Sequence, residues 1–516
     1  MSVEEVMAVR NYGNATLTED GIKILDQQAN ETAITGNPQA INYDANKKGF
    51  DVPSRTTISY DRVLFAAEIR HPELSLAKHK ANERHEDKVE SEAKLLEITF
   101  ADKKGSDLEP KKITLSFSGV SEVDNVRDWI MQESYRESSV KRSFLIIINP
   151  HGGKGRANKL FKSKIEPILK ASNCHFDVIE TTHHGHALKI ALEMDIEKYD
   201  VIACASGDGI PHEVLNGLFQ RPDRAKAFTK VAITQLPCGS GNAMSATCHG
   251  TSNPSYAALR ILKSPELRMD IMCCSQESYH KQPKLSFLSQ TYGAIAEADI
   301  NTNFIRWVGP ARFNLGVGMN VLQRKKYPCD IYVKYAAKSK DDLRNYYRSH
   351  KTIASNRTVD FQQQQFNTLK DEDFNLRFPF SKSTAEDWEK IDTDLTSNIS
   401  IFYAGKMPYI ATNTEFFPAA LPDDGTIDLI LTDTRTSISK TARILLSLDK
   451  GTHALQPEVV YSKVVAYKLI PKVKKSMLYI DGENFPFEPL QVEILPRLCK
   501  TLSFNSSYVD TGFESM

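Results

Sequence analysis

The sequence has no excess of charge of either sign and no long apolar segment. Its 516 residues include 65 basic and 65 acidic side chains, so the overall charge does not favour binding to nucleic acid. The longest apolar runs, such as residues 144–148, are far too short to span a bilayer. The N-terminal residues are polar and acidic and lack the apolar core of a signal peptide. We therefore expect a cytoplasmic protein whose contact with intracellular or plasma membranes is peripheral.

The sequence also lacks cysteines at the spacing of a metal or redox motif. The eight cysteines form no C-x-x-C motif, which is typical of free thiols in a reducing compartment. A chain of this length has room for roughly three domains of about 150 residues each. The chain is therefore long enough to bury a sizeable hydrophobic core, and it needs no disulfide framework for stability.

The first 138 residues differ from the rest of the chain in polarity and in their pattern of apolar residues. Residues 1–50 are polar without a sustained period, and we expect this segment to be disordered. Residues 51–138 contain short alternating strands near 59–66, 95–100 and 112–117, followed by a helix that carries Trp129. This order resembles a pleckstrin-homology-like, β-rich accessory module, which would contact a membrane or a partner. A generic β-rich domain is the alternative.

Four apolar strands with helices between them predict a parallel α/β sheet in residues 141–280. The strands are expected at 144–148, 176–180, 201–204 and 231–236. Three of them lead into loops suited to phosphate, at 149–157, 206–209 and 237–243. Because the carboxyl ends of parallel strands share one edge of a sheet, we expect these loops to present backbone N–H groups to a nucleotide. The first of these loops, residues 149–157, matches neither a P-loop nor a dinucleotide fingerprint.

Asp208 is the central residue of this pattern. It lies between Gly207 and Gly209, directly after the third strand, and Pro211 fits the first turn of the helix that follows. A carboxylate at this edge is placed to act on a ligand, whereas turn capping is the alternative reading.

Strands dominate after residue 265 and predict a mainly antiparallel β domain. An apolar helix is expected at 303–324. It would either belong to the hydrophobic core or line a binding site for an apolar ligand. Residues 338–396 read as a polar insertion that is partly disordered. The strands are expected at 268–275, 285–293, 329–337, 399–405, 426–432, 459–469, 477–480 and 490–495.

With these loops in view, the sequence resembles the diacylglycerol-kinase-type lipid kinases, and within them the sphingosine kinases and the fungal sphingoid long-chain-base kinases. The resemblance covers about residues 141–500. It implies a Rossmann-like α/β nucleotide-binding domain (141–280), then an antiparallel β-sandwich that binds lipid (281–500), with the active site between them. It rests on five ordered blocks, Asn-Pro-His-Gly-Gly-Lys-Gly, Ser-Gly-Asp-Gly-Ile-Pro-His-Glu-Val-Leu-Asn-Gly, Leu-Pro-Cys-Gly-Ser-Gly-Asn-Ala, Tyr-Gly-Ala-Ile-Ala-Glu-Ala-Asp and Asp-Gly-Glu.

The resemblance also implies roles for individual residues, with ATP and Mg²⁺ as cofactors. Asp208 matches the family's catalytic base, and Asp481 an acidic residue on the magnesium side. His183 and His184 depart from the arginines of animal relatives, which leaves the contacts of that loop open. The substrate positions are Ser206, Gly207, Asp208, Gly209 and Asp299. The nucleotide positions are Asn149, Pro150, His151, Thr181, Thr182, His183, His184, Gly185, Glu213, Gly239, Ser240, Gly241, Arg306, Arg312, Asp481, Gly482 and Glu483.

Asp299 bears on the choice of lipid. A sphingoid base carries an ammonium group, and a buried cation needs a carboxylate partner, whereas diacylglycerol and ceramide have no such charge. The resemblance thus implies a kinase that transfers the γ-phosphate of ATP to the terminal hydroxyl of sphingosine, sphinganine or phytosphingosine. A diacylglycerol or ceramide kinase is the first alternative, and a catalytically silent lipid-binding protein the second. The expected partners are a sphingoid-base lipid and a membrane surface, and the sequence does not define an oligomeric state.

Overall fold

The chain divides into two compact units, each held by its own contacts. One comprises Met1–Val140 and Glu166–Cys174, and the other Lys141–Ile165 and His175–Met516. The structure is a computed structural model and describes residues 10–12, 15–24, 57–69, 94–117, 120–136, 138–279, 281–301, 324–357, 368–380 and 387–516.

The first unit contains two antiparallel sheets and the helix Val120–Tyr135. The hydroxyl of Tyr135 donates to the carbonyl of Leu64 at 2.7 Å, and the ring of Trp129 meets Tyr60 edge-on at 5.3 Å. One sheet has the strands Arg10–Tyr12, Ala15–Thr18, Gly21–Ile24 and Thr57–Ser59; the other has Val63–Ile69, Lys94–Lys104 and Asp107–Phe117. The 3₁₀ turn Tyr60–Arg62 and the helix Glu166–Ala171 complete it.

Arg10–Tyr12, Ala15–Thr18 and Gly21–Ile24 form strands, although disorder is expected there from the sequence. Leu17 and Ile22 are buried in the core of this unit, and Tyr60 donates to the carbonyl of Thr18 at 3.0 Å. Strands of three or four residues are too short to leave a periodic signal, so only their partners reveal them.

The second unit begins with a four-stranded parallel segment, as the apolar runs predict. Ser143–Ile148 pairs with both His175–Glu180 and Val201–Ser206, and Val201–Ser206 pairs with Ala232–Pro237. The chain therefore moves outward from the first strand and then returns to its other side. Loops that follow the first and third strands flank this reversal, where ligands bind in open α/β sheets.

Helices connect these strands and pack closely. A Cβ at Gly217 would lie 2.3 Å from the carbonyl oxygen of Leu188, so glycine permits the close approach of two helices. Besides Glu166–Ala171, the helical segments from residue 141 to 301 are Gly152–Gly155, Ala157–Leu160, the π-helical turn Phe161–Ile165, His186–Glu193, Gly209–Phe219, Arg224–Lys230, Ala243–His249, Pro254–Lys263, the 3₁₀ turn Glu277–Tyr279 and Ala294–Asn301.

The antiparallel part is continuous with the parallel part in one fifteen-stranded sheet. Leu490–Leu502 links them, because it runs parallel to Ala232–Pro237 and antiparallel to Glu266–Ser275. The antiparallel part thus begins at Glu266, ahead of the domain boundary expected at residue 280. Its other strands are Lys284–Ser286, Ser289–Gly293, Cys329–Ala337, Glu389–Lys390, Ile399–Gly405, Ile427–Asp433, Val459–Pro471, Leu478–Ile480 and Glu483–Phe485, and Tyr409–Ala411 pairs separately with Thr414–Glu415.

The expected insertion 338–396 contributes to the core. Tyr347 from the helix Lys340–Arg357 is buried, and Phe374 packs against Phe219 and Phe228 with ring centroids 6.0 and 5.5 Å apart. Residues 358–367 and 381–386 of the insertion lie outside the described part, as do residues 303–323 of the expected apolar helix. The remaining helical segments are Asp371–Phe374, Thr393–Ser397, Ile438–Leu446, Thr452–Leu455 and Phe513–Ser515.

No helix in the described ranges is both long enough and apolar enough to cross a membrane.

Candidate active site

Asp208 lies where the third parallel strand ends and the helix Gly209–Phe219 begins. Its Oδ1 accepts the backbone N–H of Ala243 at 2.9 Å and the side-chain amide of Gln235 at 3.1 Å. Burial raises the pKa of Asp208 to about 6, although these two donors and the nearby backbone of Met244 oppose the rise. A carboxylate with this pKa is a stronger base than an ordinary aspartate and is still largely ionised at neutral pH.

Two glycine-containing loops touch each other beside this carboxylate. We call residues 206–209 the acidic loop and residues 237–242 the glycine loop. A Cβ at Gly239 would lie 2.2 Å from the Cα of Gly207, and a Cβ at Gly241 would lie 2.8 Å from Oδ2 of Asp208. Only glycine allows this approach. Among the described residues, the N–H groups of Ser240 and Gly241 have no acceptor, which suits them to an anion.

The loop after the first strand lies next to the glycine loop. Asn149 Oδ1 accepts the N–H of His151 at 3.0 Å, which tightens the turn around Pro150. An ideal Cβ at Gly152 lies 3.7 Å from the carbonyl oxygen of Cys238. The structure therefore brings the predicted positions 149–151 and 239–241 to the same edge of the sheet.

Glu213 organises the histidine loop, residues 181–185. Its two carboxylate oxygens accept the N–H groups of Gly185 and Ala187, each at 3.0 Å, at the start of the helix His186–Glu193. His184 Nδ1 lies 3.4 Å from the same carboxylate. Thr181 is buried, whereas Thr182, His183 and His184 are exposed. Glu213 thus holds this loop, and its oxygens are already engaged rather than free for a nucleotide.

Asp481 is buried and bonded on both oxygens. Oδ1 accepts from the Ser286 hydroxyl at 2.6 Å and from the N–H groups of Leu288 and Ser289 at 3.0 and 2.9 Å. Oδ2 accepts from the N–H of Phe287 at 3.1 Å and from His212 Nδ1 at 2.9 Å. Five donors occupy the capacity of one carboxylate. This geometry argues against the expectation that Asp481 ligates magnesium directly.

Glu483 is better placed for a cation. Its Oε1 lies 3.2 Å from the position of a Cβ at Gly209, next to Asp208, and its side chain is half-buried. Asp481 and Gly482 have φ angles of 51° and 82°, so a tight left-handed turn presents Glu483 to the acidic loop. The described residues contain no group of three His, Cys, Asp or Glu side chains that would hold a metal by themselves. Magnesium commonly uses one or two carboxylates, phosphate oxygens and water, and a single Glu483 fits that pattern.

Comparison with known proteins identifies the family of this chain. The diacylglycerol kinase catalytic domain family matches residues 143–274. The chain is 52% identical to "Sphingoid long chain base kinase 5" of Saccharomyces cerevisiae, over 82% of this chain and 69% of that protein. It is 30% identical to "Sphingoid long chain base kinase 4" of Schizosaccharomyces pombe, over 79% of this chain and 86% of that protein. The chain belongs to the sphingoid long-chain-base kinase family. Human "Sphingosine kinase 1" is 27% identical over 68% of this chain and 88% of that protein.

Three residues that we expect in the site of this sphingoid long-chain-base kinase lie wholly or partly outside the described part of the chain. Arg306 and Arg312 lie outside the described residues. Asp299 lies in the helix Ala294–Asn301, but its side chain is outside the described part. Their roles stay predictions from the resemblance.

Two polar residues of the site were missed in the sequence. Gln235 bonds to Asp208, and His212 bonds to Asp481. Gln235 is a long polar side chain inside the mainly apolar stretch 231–236, which also contains Thr234, and this break in the pattern was a usable signal. His212 appeared in the sequence only as a member of a motif. Its contact with Asp481 could not be predicted, because nothing near His212 in the sequence indicates a partner 269 residues away.

Proposed function

We propose that this chain phosphorylates the terminal hydroxyl of a sphingoid long-chain base with the γ-phosphate of ATP. The observation that carries the proposal is Asp208, whose Oδ1 is held by two donors while Oδ2 faces Gly241. A lipid hydroxyl bonded to Oδ2 is held close to the glycine loop, where the phosphates are expected to bind. Family membership supports the class of acceptor.

The residues would share the work as follows. The N–H groups of Ser240 and Gly241 in the glycine loop bind the phosphates of ATP, and residues 149–151 lie at the same edge of the sheet. The lipid oxygen forms a bond to the γ-phosphorus, the bond from that phosphorus to the ADP oxygen breaks, and Asp208 Oδ2 takes the hydroxyl proton. The helix Gly209–Phe219 carries Glu213, which keeps the histidine loop in place beside this centre.

Magnesium, when bound, neutralises phosphate charge. Glu483 is the carboxylate that we assign to it, and Asp481 holds the turn from which Glu483 projects. We further propose that Asp299 pairs with the ammonium group of the base and that apolar residues in 304–322 accept the alkyl chain. Because the substrate is a membrane lipid, the enzyme would meet it at a membrane surface.

The test is a lipid panel with labelled ATP and magnesium. We expect the purified full chain to phosphorylate sphinganine, sphingosine or phytosphingosine, and not diacylglycerol or ceramide. Asp208→Asn should lower the rate by at least about a thousandfold, as expected when a base and its charge are both removed, while ATP still binds. Asp449→Asn, at an exposed carboxylate elsewhere, is the matched control and should keep the parent rate.

Two results would overturn this assignment. Transfer to diacylglycerol or ceramide but not to sphinganine favours the related lipid kinases. Absence of transfer to every lipid favours a silent lipid-binding protein. Asp299→Asn should weaken use of the sphingoid base far more than ATP binding, and an equal loss of both would contradict its head-group role.

A further inference from the structure

Gln235 occupies an unusual position beside the reacting centre. It lies in the parallel strand Ala232–Pro237, is fully buried, and pairs in register with Cys204 of the neighbouring strand. The side chains around it on these two strands are mainly apolar. A buried primary amide is costly unless its polar atoms are bonded, and Gln235 contributes nothing to packing that an apolar residue would not.

The orientation of its side chain follows from its partners. Oε1 accepts the backbone N–H of Ser245 at 2.9 Å, in the helix Ala243–His249. Only the amide nitrogen can donate to a carboxylate, and Nε2 is 3.1 Å from Oδ1 of Asp208. The backbone N–H of Ser245 thus fixes which end of the amide faces Asp208.

We infer that Gln235 is a positioning residue of the kinase reaction, which turns Asp208 so that Oδ2, and not Oδ1, receives the proton of the lipid hydroxyl. This inference rests on the proposed function. Ala243 and Gln235 together engage Oδ1, and a carboxylate held on one oxygen cannot rotate to exchange the two. The hydrogen bonds from Gln235 and Ala243 both go to Oδ1, whereas Oδ2 lies on the side of Gly241.

The amide also stabilises the ionised form of the base. Burial raises the pKa of Asp208 to about 6, and the Gln235 donor is the largest of the effects that oppose this rise. The Asp481 carboxylate, to which His212 is bonded, also acts on Asp208, and Glu483 Oε1 lies beside the neighbouring Gly209. They come from a different part of the sheet and stay in place when Gln235 is replaced.

The test is the pH dependence of the rate in Gln235→Met, which has a similar size and no donor. Asp208 must be ionised to act, so the parent rate should rise with pH through about 6. Without the amide, the midpoint should move toward alkaline pH by about one unit, which corresponds to a rate about tenfold lower on the acidic side. Above pH 8 the variant should recover to within about threefold of the parent, with little change in the KM for ATP.

A second variant separates positioning from packing. Gln235→Glu keeps the length and an acceptor for Ser245, but it sets a second carboxylate against Asp208, so its alkaline shift should exceed that of Gln235→Met. Gln456→Met removes another half-buried amide, which is bonded to the Ser447 hydroxyl and to none of the described site residues, and it should leave the profile unchanged.

The outcomes distinguish the inference from the function on which it rests. Equal loss at every pH, or no loss, in Gln235→Met would overturn the positioning role. If the parent chain phosphorylates diacylglycerol or ceramide and not a sphingoid base, the proposed function fails. The pH comparison is then made with the lipid that the chain does phosphorylate. A Gln235→Met variant that unfolds leaves Gln235→Glu to decide, and an unshifted profile there overturns the inference.

Discussion

At the scale of single residues, the carboxylate of Asp481 joins the helix that follows Asp208 to the antiparallel strands. It accepts from His212 on that helix, and from Ser286 and three successive backbone N–H groups of the strand region 286–289. A residue with this many buried partners is a structural support for the site. Glu483, two residues later, has no such partners in the part of the chain that the structure describes, which leaves it available to a ligand.

Replacement of these two acids should therefore have different effects. Asp481→Asn places an amide among donors, and at least one buried N–H loses its acceptor, so we expect a loss of about 1–3 kcal/mol in stability. The melting temperature should fall, and the rate should fall at every magnesium concentration. A thermal melt and a magnesium titration of the rate measure both effects.

Glu483→Gln is the matched comparison for a ligand role. Its melting temperature should stay near that of the parent, whereas the magnesium concentration for half-maximal rate should rise by about tenfold, as expected when one ligand charge is lost. If Asp481→Asn raised the magnesium requirement without a change in melting temperature, Asp481 would be a ligand after all.

At the scale of elements, the site depends on two loops whose backbones touch. Gly207 and Gly239 face each other with no room for a side chain, since a Cβ at Gly239 would also lie 2.3 Å from the nitrogen of Gly207. The neighbours of Gly239 are backbone atoms of the acidic loop, which cannot move without displacing Asp208. Steric exclusion therefore sets the distance between the phosphate-binding loop and the base.

Gly239→Ala should consequently be severe. We expect the rate to fall by at least about a hundredfold, because a displacement of about 1 Å at a reacting group is enough for such a loss. Gly152→Ala is the control for an added methyl group in the same region, since its nearest neighbours would be 3.7 Å away. That variant should melt close to the parent temperature. Equal activity of Gly239→Ala and the parent would show that the loops separate freely.

The sequence predicted the elements of this site better than its contacts. The parallel strands were visible because strands covered on both faces are continuous apolar runs, and parallel strands bring their following loops to one edge. The roles of Asp481 and Gln235 could not be predicted from the sequence, because each depends on partners far away in the chain. The short strands near Leu17 and the buried Phe374 were missed for the same reason, since local polarity hides a long-range contact.

At the scale of the whole catalytic unit, a fully buried ionic cluster joins the antiparallel strands. Lys406 Nζ lies 2.8 Å from Asp270 and 2.5 Å from Asp424, and Lys463 Nζ lies 2.8 Å from Asp424 and 3.0 Å from Asp428. Asp270 is in the strand Glu266–Ser275, which also pairs with the strand leading back to the parallel part. The cluster therefore connects residues that are nearly 200 positions apart.

The cluster gives stability a defined dependence on acid. Burial alone would raise the pKa of Asp424, but the ammonium groups of Lys406 and Lys463 outweigh it and hold the pKa below its usual range. A carboxyl whose pKa is lower in the folded state stabilises the fold above its unfolded pKa of about 3.9 and loses that effect as pH falls further. Burial raises the pKa of Asp428 and of Asp270, so these two carboxyls act in the opposite direction.

Removing one cation should expose the cost of burying the acids. Lys463→Met leaves Asp428 without its cation and Asp424 with only one, and breaking a buried pair in this way costs about 3–5 kcal/mol. In a unit of this size, that corresponds to a melting temperature lower by about 5 °C. Lys472→Met, which removes a surface pair with Asp330, is the matched control and should cost about 0–1 kcal/mol. Thermal melts of both variants at pH 7 provide the measurement. Equal melting temperatures would mean that the cluster is solvated or neutral, and that the strands are held by apolar packing alone.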